Sequence, residues 1–307
     1  MRPDGSDPAA STRAHRRALL TLVGCAVLWS IAGVATRRLE RAEGFEMTFW
    51  RSAFCAAFVV VSMLVVHRGR WFARVIAIGP VGLASGAMWS VMFTCFMVAL
   101  AYGSVANVLV VMAAAPLLAA LLGLVVLREP VLPRTWAAIA IAAAGIVWMV
   151  ADGLTTDGLR GMAIASFVPI ASAINIVLLK RTGARIDLVP AVLVGALISA
   201  AVTLPLAWPL SASAHDLLIL AGLGVFQLAV PCMLMVRAAR HLAPHEIALI
   251  GLLEVVLGPL WVWVGAGEAP GRATLVGGAL VLSALLLNEL VALRSARRSA
   301  AQPNAGG

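Results

Sequence analysis

Ten mainly apolar runs, joined by short polar links, fix what this chain can become: about 18–36, 47–66, 75–101, 104–126, 135–151, 160–179, 188–208, 217–236, 244–264 and 271–293. Each has about 17 to 27 residues. At about 1.5 Å of rise per residue that is enough to cross the bilayer as a helix, with some tilt. Composition agrees. The chain is 62% hydrophobic and 12% charged, with a mean hydropathy of +0.99, whereas a soluble domain is about half apolar and about a quarter charged. No polar stretch is long enough for a soluble domain. The expected fold class is an all-α integral membrane protein with ten transmembrane helices.

The formal net charge is +9, but its carriers sit in short clusters between apolar runs, which is a topology signal and not a nucleic-acid surface. With the N-terminus inside, 17 Lys and Arg fall in cytoplasmic parts, among them Arg16, Arg17, Arg68, Arg70, Arg128, Lys180, Arg181 and Arg237. Five (Arg37, Arg38, Arg41, Arg160 and Arg272) fall outside, and Arg51 lies within a helix. This bias places both termini in the cytoplasm. Residues 1–17 and 294–307 read as cytoplasmic tails, the first disordered. Leu22-Val23-Gly24-Cys25 resembles a lipoprotein cleavage box, but the apolar run continues past it to Arg37-Arg38, so a retained first helix is expected. The cysteines 25, 55, 95 and 232 all fall inside apolar runs without metal-like spacing and read as small hydrophobes.

Glu254 sits at the centre of the run Pro244–Val264. It lies about 15 Å from each end, at the bilayer midplane. A carboxylate facing lipid there costs about 3 kcal/mol, so it is expected to face protein or a wet cavity. The chain also hints at a repeat. Sliding it by 139 residues superposes Glu129 on Glu268, each in a Pro-containing turn after a long span. Identity is near chance over that window, with five matches between 98–129 and 237–268, so the signal is the hydropathy pattern. A five-helix repeat has an odd number of crossings, which turns the two halves upside down relative to each other. That arrangement is a physical route to alternating access. The expected halves are 18–151 and 152–293.

The order and spacing of several short pieces resemble the drug/metabolite transporter superfamily, in particular the EamA-type ten-helix transporters. They are Leu28-Trp29-Ser30, Phe49-Trp50-Arg51, the run Ala99-Leu100-Ala101-Tyr102-Gly103-Ser104-Val105-Ala106, Ala115-Pro116-Leu117 and Arg128-Glu129. Leu253-Glu254 and Gly267-Glu268 resemble the corresponding stretch of the second half. The resemblance spans 18–293. It implies two inverted five-helix repeats around a central cavity, exporting amino acids or small metabolites. The halves differ in detail: Val194 stands where Arg51 would recur, and Val255 follows Glu254 where the family often has Pro.

The candidate substrate-binding residues are those at or near mid-depth. Glu254 leads, as a group able to exchange a proton. Gln227 and Ser172 lie at similar depth, Asn175 one turn further inward and Asn107 near the outer end of the fourth run. Each could equally serve as packing glue between helices. Trp29, Trp89 and Phe93 bring aromatic surface to the same level, for packing or for stacking on an apolar solute. Four charged residues are gate or mouth candidates. Arg51, roughly 6 Å below the outer boundary, either snorkels outward or meets an anionic substrate; its depth differs from that of Glu254 by roughly 9 Å, so a direct pair is not expected. Glu129 and Glu268 each precede a helix start, where a carboxylate is favoured, and Glu246 lies at the cytoplasmic end of the ninth run. Pro116, Pro169, Pro231 and Pro259 interrupt helices and free carbonyls, which suits a central cavity. His241 and His245 have the spacing of a metal pair but no third ligand.

No GxxxxGK[ST] loop is present, so an ATP-driven engine is not expected within the chain. The leading reading is a secondary transporter of small organic solutes, an exporter coupled to protons through Glu254. It has no cofactor, metal or nucleic-acid partner; its partners are the solute and the lipid bilayer, and a homodimer stays open. The runner-up is a non-transporting membrane scaffold or subunit, and behind it a membrane-embedded enzyme.

Overall fold

A computed structural model of the chain describes residues 8–102, 108, 111–112, 114–150, 156–183, 186–267 and 272–301. All regular structure among them is helical. In chain order, α1 is Pro8–Ser30, extended after a one-residue break by Ala32–Thr36; α2 is Gly44–His67 and α3 Gly79–Tyr102. The rod α4 is Ala115–Leu122 with a wide π-helical end at Gly123–Leu127, and α5 is Pro133–Val150. The second half holds α6 (Thr156–Ala165 and Phe167–Thr182) and α7 (Val189–Ala207). Then come α8 (Ala214–Gly222, a π-helical stretch Leu223–Ala229, and Val230–Ala238), α9 (Pro244–Gly251 and Leu253–Ala266) and α10 (Arg272–Ala301).

Seven of these, within α1, α2, α3, α6, α7, α8 and α9, are long and apolar enough to cross a membrane. Seven of the expected ten crossings meet that measure of length and apolarity among the described residues; Ala115–Leu127 and Leu275–Ala284 are shorter apolar helices. Both expected tails are partly helical: α1 starts at Pro8 and α10 runs to Ala301. The Ala- and Arg-rich ends are good helix formers, and adding a residue to an existing helix avoids the cost of nucleation.

The rods between α1 and α5 pack against those between α6 and α10 in a pattern that is unchanged when the two sets are exchanged in order. The pairs α2·α7, α4·α9 and α5·α10 map onto themselves. The pair α3·α7 maps onto α8·α2, α3·α6 onto α8·α1, and α4·α6 onto α9·α1, and all of these are present. Apolar attraction does not drive helices together in lipid, so close backbone approach does, and glycine permits it. A Cβ on Gly86 of α3 would lie 2.6 Å from Val194 Cγ1 of α7. One on Gly224 of α8 would lie 2.7 Å from the Arg51 carbonyl of α2. These are corresponding crossings in the two halves.

Helices also break in both halves. α1 stops at Ser30, whose Oγ donates to the Val27 carbonyl at 2.7 Å; α6 is interrupted at Ser166, whose Oγ donates to the Ala163 carbonyl at 2.7 Å. Such back-bonding bends a helix. α4 begins at Ala115-Pro116, and its counterpart α9 breaks at Leu252, just before Glu254. A proline in a first turn costs no hydrogen bond, so Pro116 marks a start rather than a defect.

One end of the bundle is tied by two acids. Asp216, in the first turn of α8, accepts from the backbone N–H of Glu40 (2.7 Å), Arg41 (3.0 Å), Ala42 (3.1 Å) and Ser213 (3.2 Å). Glu46, in the first turn of α2, accepts from the N–H groups of Ser211 (2.8 Å) and Ala212 (2.9 Å) and from the Ser211 hydroxyl (2.9 Å). Each acid satisfies a link within the opposite half, Asp216 the one between α1 and α2 and Glu46 the one between α7 and α8.

Candidate functional site: a mid-membrane cavity

Broken and bulged helices leave room between rods. A cavity of about 140 Å³ lies between the two halves, walled by α1, α2, α3 and the start of α4 from one half and α6, α8 and α9 from the other. Its walls are largely apolar. Helical stripes supply them: Trp89, Met92, Phe93 and Phe96 on α3, Val168, Ser172 and Ile176 on α6, Ile247, Ala248 and Gly251 on α9. The Trp89 and Phe93 rings stand 5.5 Å apart and tilted by 36°.

Six sequence candidates for substrate contact meet on this wall: Trp29, Trp89, Phe93, Ser172, Gln227 and Glu254. Glu254 is half-buried, one residue into the second part of α9, where the N-terminal end of a helix favours negative charge. No hydrogen bond or ion pair joins it to a described residue. Its carboxyl group faces the cavity instead of being consumed by packing.

Asn175 does not line the cavity. It is fully buried, and its Oδ1 accepts a 2.6 Å hydrogen bond from Ser85. Asn107 and Glu268 lie outside the described residues. Glu246 sits at the start of α9, where it accepts from the Ala243 N–H at 2.7 Å and lies 3.7 Å from His15 Nε2. Glu129 follows α4 and pairs with Lys180 of α6 at 3.4 Å. The His241 carbonyl accepts from His15.

Arg51 departs most from expectation. It does not snorkel outward: it is 1% exposed and lines the cavity. Its Nη1 donates to Gln227 Oε1 at 3.2 Å and its Nη2 to the Phe93 carbonyl at 2.9 Å. Gln227 in turn donates from Nε2 to the Trp29 carbonyl at 3.4 Å. One short network thus spans α1, α2, α3 and α8. No ion pair joins Arg51 to Glu254.

The position of Gln227 comes from the π-helical stretch of α8, in which the Val230 N–H reaches back five residues to the Val225 carbonyl. Pro231 follows and offers no N–H to the carbonyls one turn back, which favours the wider turn. Sequence reading found Pro231 but not the bulge. It also passed over Met92, Phe96, Met112 and Met235, which line the cavity. The spacing of three and four residues between Trp89, Met92, Phe93 and Phe96 was the available signal for two of them.

The comparisons with known proteins bear on what such a cavity belongs to. No curated protein matches the chain. A solved structure described as "Crystal structure of protein" superposes with a TM-score of 0.75 at 20% identity, over 91% of this chain and 98% of its own. At that identity the likeness shows the fold. The model of the EamA-like transporter family matches twice, at residues 16–151 and 159–290, one match to each half of the exchange pattern. With nearly the whole helical bundle covered, this multi-pass membrane protein belongs to the EamA-like transporter family.

Proposed function

We propose that the protein is a secondary transporter, not driven by ATP, that exports small organic solutes such as amino acids, metabolites or amphipathic drugs. The observation that carries this reading is the cavity walled by both halves, with Glu254 facing it and unpaired among the described residues. In this reading ten helices cross the membrane, including α4, α5 and α10. They form two inverted five-helix repeats that rock about the cavity, opening it to one side and then the other. The exchange symmetry of the packing supports such a motion, because either half can take up the arrangement of the other. The site is made of Trp29, Trp89, Phe93, Ser172, Gln227 and Glu254, with Glu129, Glu246 and Glu268 at the mouths. The distribution of Lys and Arg favours the inner cell membrane with both termini in the cytoplasm.

Glu254 is the proposed coupling group. A neutral acid crosses the apolar middle of the cycle at far less cost than its anion, so proton uptake and release at Glu254 would tie rocking to a pH gradient. The test is uptake of a labelled solute panel into vesicles reconstituted with purified protein. Wild type is expected to move at least one solute class, faster with an imposed pH gradient. Glu254→Gln is expected to lose the acceleration by tenfold or more. Unchanged, gradient-accelerated flux in that variant overturns the coupling; no flux of any solute by wild type overturns the transport reading.

A further inference from the structure

We infer that Arg51 forms a carboxylate subsite in the cavity, so that the solutes recognised carry an anionic carboxylate on an otherwise apolar body. The inference rests on the transport reading and deepens it. A guanidinium has five N–H donors and no acceptor. Only two hydrogen bonds leave Arg51 among the described residues, one to the Gln227 amide oxygen and one to the Phe93 carbonyl. Both acceptors are neutral. Its Nε–H is sealed from solvent and has no partner. The side chain is 1% exposed at a depth where an unpaired charge is expensive.

The surroundings hold the cation ready rather than cancel it. Gln227 is committed at both ends, its oxygen to Arg51 and its nitrogen to the Trp29 carbonyl. The amide therefore has its oxygen turned toward the guanidinium, and the π-helical turn of α8 fixes where that oxygen lies. Gln227 is a positioning residue in this account, and Arg51 is the group that meets the solute. Among the described residues Glu254 is the one acid on the cavity wall, and it is paired neither with Arg51 nor with any other of them. The missing counter-charge must then arrive with the ligand.

The chemistry of the cavity narrows the anion. A planar guanidinium fork matches a carboxylate with two parallel hydrogen bonds. A phosphate or other multiply charged group would need more than one cation, and Glu254 in the same cavity repels excess negative charge. The remaining wall (Met92, Phe93, Phe96 and Met235 among others) is aromatic and thioether surface, which suits an apolar body and adapts to its shape.

The test compares two molecules of equal size, 3-phenylpropionate and 3-phenylpropanamide, as ligands of the purified full-length protein, read by thermal unfolding. The acid is expected to raise the Tm of wild type by several degrees in a saturable way, and the amide to leave it unchanged. Arg51→Gln is expected to abolish the rise. Because that variant could fail to fold, Gln227→Glu serves as the second arm. It places a carboxylate of the chain itself against Arg51, so it should fold with an unliganded Tm at or above wild type and lose the response to acid. Equal stabilisation by acid and amide, equal stabilisation by acid and by chloride, or a folded Gln227→Glu that keeps its acid response would each overturn the subsite. Arg51-dependent acid binding without vesicle flux supports the subsite and counts against the transport reading. Solute flux with no preference for acids does the reverse.

Discussion

Buried polar side chains in this protein divide by whether the chain itself satisfies them. Glu46 is 5% exposed and accepts three hydrogen bonds from Ser211 and Ala212, all at 2.8–2.9 Å. Removing it leaves two backbone donors without a charged acceptor. At about 1.5–3 kcal/mol for a hydrogen bond to a charged group, with partial rescue by water, Glu46→Ala is expected to cost about 3 kcal/mol of stability. Thermal unfolding in detergent would show this as a lower Tm, while flux per folded molecule stays near wild type. Glu254 and Arg51 belong to the opposite class. Neither finds an oppositely charged partner among the described residues, and substitution of Glu254, which no hydrogen bond holds there, should act on binding and coupling more than on folding. Both were picked out in the sequence by counting residues from the ends of apolar runs. Their partners were not, because counting along a helix gives height and not azimuth. That is why Arg51 read as a residue able to snorkel and Asn175 as one able to line a path, when the first turns inward and the second is sealed against Ser85.

Elements here carry function through their defects. A continuous α-helical α8 would rotate every residue beyond the bulge by about 100° relative to those before it. The π-helical stretch Leu223–Ala229 absorbs that extra residue, so Gly224 can pack on the Arg51 carbonyl while Gln227 still faces the guanidinium. Pro231→Ala restores an N–H to the turn and removes the ring that favours the wide winding. The expected result is a protein as stable as wild type, or more so, with ligand-induced stabilisation cut by threefold or more. Unfolding curves with and without 3-phenylpropionate check both halves of that statement, and an unaltered ligand response would detach the bulge from recognition. The prolines were visible in the sequence, where all four read as helix interruptions, but Pro116 and Pro231 stand in first turns and Pro259 lies within an unbroken helix. Whether a proline starts a helix, as Pro116 does, or sits inside one, as Pro259 does, depends on hydrogen bonds that the letters do not contain.

At the scale of the whole molecule, the two halves share packing far more than sequence. Lipid-facing and core positions accept Ala, Leu and Val almost interchangeably, so identity between halves fell to chance while helix order and glycine crossings persisted. The exchange pattern pairs α4·α6 with α9·α1, and each pair carries a tie at its helix ends. Glu129, beyond α4, meets Lys180 of α6 at 3.4 Å, and Arg38, beyond α1, donates to the Gly265 carbonyl of α9 at 2.7 Å. If the halves rock about the cavity, these ties must alternate, and holding one shut must stop the cycle. Cysteines placed at Glu129 and Lys180 and joined by a short bifunctional thiol reagent should therefore abolish vesicle flux at least tenfold. Ligand-induced stabilisation should survive, since the cavity wall is untouched, and a cleavable linker should give the flux back on reduction. Each single-cysteine control separates the loss of this part-buried ion pair, whose side chains are 18% (Lys180) and 35% (Glu129) exposed, from the effect of the cross-link itself. Undiminished flux after complete cross-linking would mean that α4 and α6 stay together throughout, and the moving boundary would have to be sought elsewhere in the bundle.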